Sequence, residues 1–236
     1  MVFAARVAER LVRDAAALGL GRLDPGAVAA AMLEAGRAGF GPSGEGVVRL
    51  EARRGPVLVP ATRPLGPELE RWRAIVAHAV HPGPGPIPGA KRTGVAELAK
   101  AREEARGAGA DETLLFDAAA RLVEGARTNL FVARADGRLC MPPLTRGAVR
   151  GVAQDIVLAA GVPIEEQDLS RRDCAAAREI VATNSVRGAR PIVAVDGVPV
   201  GSGEPGPLYA ALAAALEQAA QAAAPDGMFA AAPERG

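Results

Sequence analysis

Chemistry that needs an amine nucleophile has few places to go in this chain. Lysine and arginine together number 28 among 236 residues, yet Lys91 and Lys100 are the only lysines. Lys91 follows a Pro/Gly stretch, in Pro88-Gly89-Ala90-Lys91-Arg92-Thr93-Gly94. Taken alone it reads as a solvated loop lysine, but its amine is also the group that can condense with an aldehyde to an imine. The only histidines are His78 and His81, so a multi-histidine metal site is excluded and a Ser-His-Asp triad would have to use one of them. His78 reads as a surface or packing residue on a helix. Cys140 and Cys174 have no metal-ligand spacing and suit a reduced, cytoplasmic compartment. There is no Gly-x-Gly-x-x-Gly after a strand, no P-loop and no His-Glu-x-x-His. The residues taken singly do not name a reaction.

The elements that must position these groups follow from periodicity. Residues 4–19 form an amphipathic helix, with Val7, Leu11, Ala15 and Leu18 on one face. Asp24-Pro25 caps and opens a second helix running to about Arg37. A glycine-rich loop, Gly39 to Gly46, precedes a hairpin of Val47–Glu51 and Val57–Val59. The spacing predicts a helix over 68–80. His81-Pro-Gly-Pro-Gly-Pro-Ile-Pro-Gly89 can form neither helix nor inner strand and reads as an inter-domain linker. Beyond it come a helix over 95–107, strands at Thr113–Phe116 and Leu130–Ala133, and a tight turn at Asp136-Gly137. A helix over 146–160 and a short one over 173–178 follow. Strands at Ile180–Ala182 and Pro191–Val195 and a helix over 207–223 complete the pattern, and the tail after Ala224 is expected to fray. Strands and helices mix without strict alternation, which suggests an α+β or barrel-like class.

One set of segments occurs in a specific order. After Lys91 come Gly109-Ala-Asp-Glu-Thr-Leu-Leu-Phe116 and Leu122-Val-Glu-Gly-Ala-Arg-Thr-Asn-Leu-Phe131. Asp136-Gly-Arg-Leu-Cys-Met-Pro-Pro-Leu-Thr-Arg-Gly-Ala-Val-Arg-Gly-Val152 is next, and then Thr183-Asn-Ser-Val-Arg-Gly-Ala-Arg-Pro-Ile192 and Asp196-Gly-Val-Pro-Val-Gly201. This succession resembles the fold type IV enzymes that use pyridoxal 5'-phosphate (PLP), the group of the class IV aminotransferases and 4-amino-4-deoxychorismate lyase. The resemblance implies a two-domain α+β fold. A smaller N-terminal α+β domain would span 1–82, a linker 83–90, and a larger C-terminal domain with a barrel-like mixed sheet 91–236.

The resemblance also assigns roles. Lys91 would form the imine with PLP, and Glu124 would face the pyridine nitrogen and keep it protonated. Backbone N–H groups of Val152 and Ala153, at a helix start, would cradle the phosphate. Ser185 would add a hydroxyl and Arg10 a guanidinium. The family pattern around that arginine carries a histidine and a serine that this chain replaces with Val7 and Asp14. A tyrosine often found four residues after the lysine is Val95 here. The chain also opens almost at the family's first helix. A misplaced start, a truncation or a minimal member would each produce this, and any uncovered strand edges would call for a partner subunit.

The reading is therefore a class IV aminotransferase acting on an amino acid. The alternative is aminodeoxychorismate lyase, which releases pyruvate and 4-aminobenzoate, and a catalytically degenerate structural member is a further possibility. The Asn184–Ile192 segment leans toward lyase-like and D-amino-acid-type members rather than branched-chain ones. A homodimer is expected, as the family implies. A formal net charge of +1 and 3% aromatic residues give no footprint for nucleic acid or an anionic membrane. No apolar run reaches the about 20 residues of a membrane helix, and no signal peptide is expected at the start.

Overall fold

The structure is a computed structural model, and the residues described are 3–41, 44–55 and 57–223. The expected frayed tail, 224–236, lies outside them. The N-terminal part holds α1 (Ala4–Ala17), α2 (Pro25–Phe40) and an antiparallel pair, β1 (Gly46–Arg53) and β2 (Val57–Pro64). The predicted cap is present: Asp24 Oδ1 accepts from Ala27 N at 2.8 Å and Pro25 opens the helix, so one otherwise unpaired N–H is satisfied. Ala8, Val28 and Met32 are buried where α1, α2 and the hairpin meet.

The larger part is one mixed sheet of nine strands. Its path runs β5 (Leu122–Glu124), β4 (Glu112–Phe116), β3 (Trp72–Val76), β10 (Gly188–Val195), β9 (Glu179–Asn184), β6 (Asn129–Ala133), β7 (Leu139–Met141), β8 (Ile164–Glu166), with β11 (Val198–Pro199) paired to β10. β3 runs parallel to both β10 and β4, and β7 parallel to β8; the other ladders are antiparallel. The sheet curls until its two ends meet. Leu122 N donates to Leu169 O at 2.7 Å and Arg121 bridges Ser170, joining the start of β5 to the chain leaving β8. That closure gives the barrel-like form the sequence predicts.

Alternation along the strands divides the core. On β6, Leu130 and Val132 point into the barrel with Trp72, Leu114, Leu122, Ile180 and Ile192. Phe131 points outward, against α4 (Val152–Ala159) and α6 (Pro207–Ala223), through Val152, Ile156, Leu208 and Leu212. α3 (Ala96–Gly107) covers Leu115 with Ala101.

Two expectations are corrected. The helix predicted over 68–80 is instead β3, a central strand with Trp72 and Ala74 buried and Arg73 exposed between them. Side chains bind its backbone as well: Asp111 Oδ2 accepts from Arg73 N at 2.8 Å and Asp196 Oδ1 from Val76 N at 3.1 Å. By strand membership the chain thus enters the large sheet between Pro64 and Trp72, ahead of the 83–90 stretch taken for the linker and inside the 1–82 span given to the small domain. The helix predicted over 146–160 is shorter. A 3-10 turn covers Leu144–Arg146, and α4 starts only after Gly151. Gly147 sits at φ +110°, and a Cβ there would lie 2.5 Å from the Gly83 carbonyl. This is a close backbone crossing rather than a helical turn.

Candidate active site

The Pro/Gly stretch does not hang free between two bodies. It crosses the large sheet's loops as a strap, with His81 at one end and Lys91 at the other. Gly83 lies on Gly147, and Arg150 N donates to Gly89 O at 2.9 Å. Proline and glycine suit a segment that must approach other backbone closely without a ladder of its own.

Lys91 sits where the strap turns toward α3. Its backbone N–H donates to Asp14 Oδ2 at 3.0 Å. Asp14 is buried on α1 and pairs with Arg13 at 3.0 Å. Lys91 is exposed at the surface, yet the protein around it holds its amine below the ordinary lysine range, chiefly by burial. Arg10 adds to the lowering, Glu124 opposes it, and Arg102 and Arg49 act as weaker cationic neighbours. Arg10 and Glu124 thus each lie within electrostatic reach of Lys91.

Arg10 is on α1. Burial works against its charge, and Asp14 is its main support, with Asp155 of α4 a smaller one. Its Nε is buried without a hydrogen-bond partner among the described residues, an orphaned cationic donor of the kind an anion would satisfy.

Glu124 ends β5 and is 4% exposed. Both carboxylate oxygens are engaged. Oε1 lies 3.3 Å from His81 Nε2, and Oε2 accepts from Val149 N at 2.9 Å. The loop after it is fixed by a second buried carboxylate. Glu112 Oε1 accepts from Thr113 N and Ala126 N, each at 2.9 Å, and its Oε2 from Thr128 Oγ1 at 3.0 Å. Burial pushes the Glu112 carboxyl above the usual range, against the pull of these donors and the Arg127 charge. Gly125 is required here, because a Cβ would lie 2.3 Å from Thr128 Oγ1.

Val152 and Ala153 form the first turn of α4, whose N-terminal N–H groups have no intrahelical acceptor. The approach to that turn is held by Asn129 Nδ2, which donates to Val149 O at 2.7 Å. Asn129 is in register with Thr183 across β6 and β9. Ser185 lies just beyond, in the turn between β9 and β10, so it stands at the same end of the sheet as α4's N-terminus. Asn184 Oδ1 shapes that turn by accepting from Val186 N at 2.9 Å and Arg187 N at 2.8 Å. Gln154 is buried with its Nε2 on Met141 Sδ. Val95 is merely the N-cap of α3. His78 is not on a helix; it follows β3 and is exposed, its N–H on Glu104.

Sequence reasoning missed Asp14, His81, Glu112 and Asn129. Asp14 carried a signal: it falls on the apolar stripe of α1 marked by Val7 and Leu11, where an unpaired charge has no place. Glu112 similarly stands directly ahead of the buried stretch Thr113–Phe116.

With this geometry in place, comparison with known proteins is direct. The family model for amino-transferase class IV matches residues 3–195, and the chain belongs to that family. Curated relatives include the branched-chain-amino-acid aminotransferase of Escherichia coli K12, 33% identical over 141 residues, covering 57% of this chain and 45% of that protein. The enzyme of that name from Pseudomonas aeruginosa is 30% identical over 112 residues, covering 46% of this chain and 36% of that protein. The matched stretch is therefore under half of these relatives' length. Among solved structures, the Thermoproteus uzoniensis branched-chain aminotransferase with norvaline superposes at TM-score 0.75 with 26% identity, covering 92% of this chain and 78% of its own. The Escherichia coli enzyme superposes at 0.77 with 24% identity, covering 96% and 82%, and shows the shared fold. These relatives are branched-chain enzymes, not the lyase-like members toward which Asn184–Ile192 was expected to lean.

Proposed function

We propose that the chain is a PLP-dependent aminotransferase that exchanges the amino group of an amino acid through Lys91. The observation that carries this reading is what stands around Lys91, whose amine is held below its ordinary range: Arg10, with an orphaned buried donor, and Glu124, a buried carboxylate. They fit a phosphorylated pyridine aldehyde. Arg10 Nε has a donor that an anion would satisfy, the first turn of α4 offers free N–H groups, and Glu124 holds a carboxylate away from water. The relatives' activity favours an aliphatic amino acid as donor, and nothing specific favours the lyase.

When bound, PLP supplies an aldehyde for the amine and a ring that accepts the electron pair released at the substrate's α-carbon. The chain's residues supply the rest. Arg10, the Val152 and Ala153 N–H groups and the Ser185 hydroxyl would hold the phosphate. Glu124 would keep a proton on the ring nitrogen. Lys91 would hold the cofactor at rest and, once displaced by substrate, move the α-proton, a task suited to an amine whose pKa is lowered. A homodimer and a cytoplasmic location belong to the same reading. Among the described residues, no helix is long and apolar enough to cross a membrane.

Borohydride reduction of the protein with PLP, followed by peptide mapping, tests the assignment. The label is expected on Lys91 and absent in Lys91→Ala. Leucine or valine with 2-oxoglutarate is expected to yield glutamate. Label on Lys100 would overturn the lysine assignment, and pyruvate release from aminodeoxychorismate without transamination would overturn the reaction.

A further inference from the structure

His81 has no place in the roles above, yet it is 4% exposed and directed at the site. Its ring is gripped from both sides. Gly83 N lies 3.1 Å from Nδ1, and Nε2 lies 3.3 Å from Glu124 Oε1. A backbone N–H can only donate, so Nδ1 must present its lone pair. A neutral ring with that constraint carries its proton on Nε2, which then donates to the carboxylate. An imidazolium would instead set an Nδ1–H against the Gly83 N–H. The strap thus chooses the tautomer.

We propose that His81 is a positioning residue for Glu124, acting as a neutral Nε2–H donor. With Val149 N on Oε2 and His81 on Oε1, the carboxylate can neither rotate nor withdraw. A neutral donor fixes Glu124 without cancelling its charge. A cation at this place would form an internal ion pair and leave less negative potential for anything else. The full charge of Glu124 therefore remains for a cationic partner. Under the function proposed above, on which this part rests, that partner is the protonated ring nitrogen of PLP. The strap's chemistry follows: its close crossing at Gly83 and Gly147 serves to aim one ring at one carboxylate.

The test has two arms. The first needs no cofactor. In the full-length protein labelled with 15N-histidine, long-range proton–nitrogen correlation spectra at neutral pH should show His81 as the Nε2–H tautomer, with His78→Asn identifying its signals. An Nδ1–H tautomer or an imidazolium would overturn the proposal, whether or not the protein binds PLP. The second arm compares His81→Leu, which removes the donor, with His81→Gln, whose amide can donate to the same oxygen. Hydrogen bonds to charged groups predict roughly tenfold or more weakening of PLP binding in His81→Leu. They also predict a lower kcat with little change in KM for the amino donor. The visible band of bound cofactor should titrate at a higher pH, because a less well protonated ring nitrogen withdraws less charge. His81→Gln should recover a large part of each. Unchanged affinity, turnover and titration in His81→Leu would overturn the role. Failure of wild type to bind PLP would overturn both that role and the proposed function, leaving the tautomer and its bond to Glu124 to the first arm.

Discussion

Buried charged side chains in this protein hold backbone more often than they hold each other. Asp14 holds Lys91 N, Glu112 holds the N–H groups of Thr113 and Ala126, and Glu124 holds Val149 N. Glu112 gives the clearest test at this scale. Burial is the largest influence on its carboxyl and raises its pKa above 4.5. The folded state therefore binds this proton more tightly than the unfolded chain. Its contribution to stability is fully present below the unfolded value and is lost as pH rises through the folded value. Glu112→Gln keeps an oxygen for the two N–H groups and offers an N–H to Thr128 Oγ1. We expect Glu112→Gln to be relatively more stable the higher the pH, from mildly acid to mildly alkaline, in paired thermal melts. Glu112→Ala strips an acceptor from buried donors and should lose about 3 kcal/mol or more. Parallel melting-temperature profiles for wild type and Glu112→Gln would refute the assignment.

At the scale of elements, what the sequence made legible depended on whether side chains or neighbours decide the outcome. The capped helix at Asp24-Pro25 was readable because a local hydrogen bond starts it. β3 was not, because Trp72, Ile75, Val76 and Val80 also satisfy helical spacing. Parallel partners on both sides, distant in sequence, select the strand. Lys91 and Glu124 were singled out as candidates through the order of flanking segments. Asp14 and His81 escaped notice because the groups they bind include the backbone N–H groups of Lys91 and Gly83, and a backbone group leaves no mark in the sequence. The strap follows the same logic and can be tested. Gly147→Ala places a methyl 2.5 Å from the Gly83 carbonyl, so the strap must lift. Overpacking of this kind costs roughly 1–3 kcal/mol, with more for the positive φ. We expect a lower melting temperature together with weaker PLP binding, since His81 moves with Gly83. Unchanged binding would show that the crossing does not position the site.

For the whole molecule, the segment joining the N-terminal part to the large sheet matters most, because Arg10 and Asp14 lie on one side of it and Glu124 on the other. Arg187 reaches from the β9–β10 turn to the carbonyls of Leu65 and Gly66, Arg190 pairs with Glu68, and Arg71 with Glu204 at 2.6 Å. The Arg71–Glu204 pair is exposed and should contribute little, about 0–1 kcal/mol. Arg187 differs, because its donors meet backbone carbonyls and its Nη1 is buried. Arg187→Ala should therefore release the crossing while leaving the barrel core, centred on residues such as Leu130 and Ile180, untouched. Brief trypsin digestion is the measurement. Arg71 lies at the end of the crossing, and cleavage there would separate the N-terminal part from the sheet. We expect Arg187→Ala to be cut at Arg71 several times faster than wild type, with PLP slowing the cut in both by drawing Arg10 and the sheet's residues onto one ligand. Equal cleavage rates would mean that the helices and the strap, not the arginine clamp, hold the N-terminal part to the sheet.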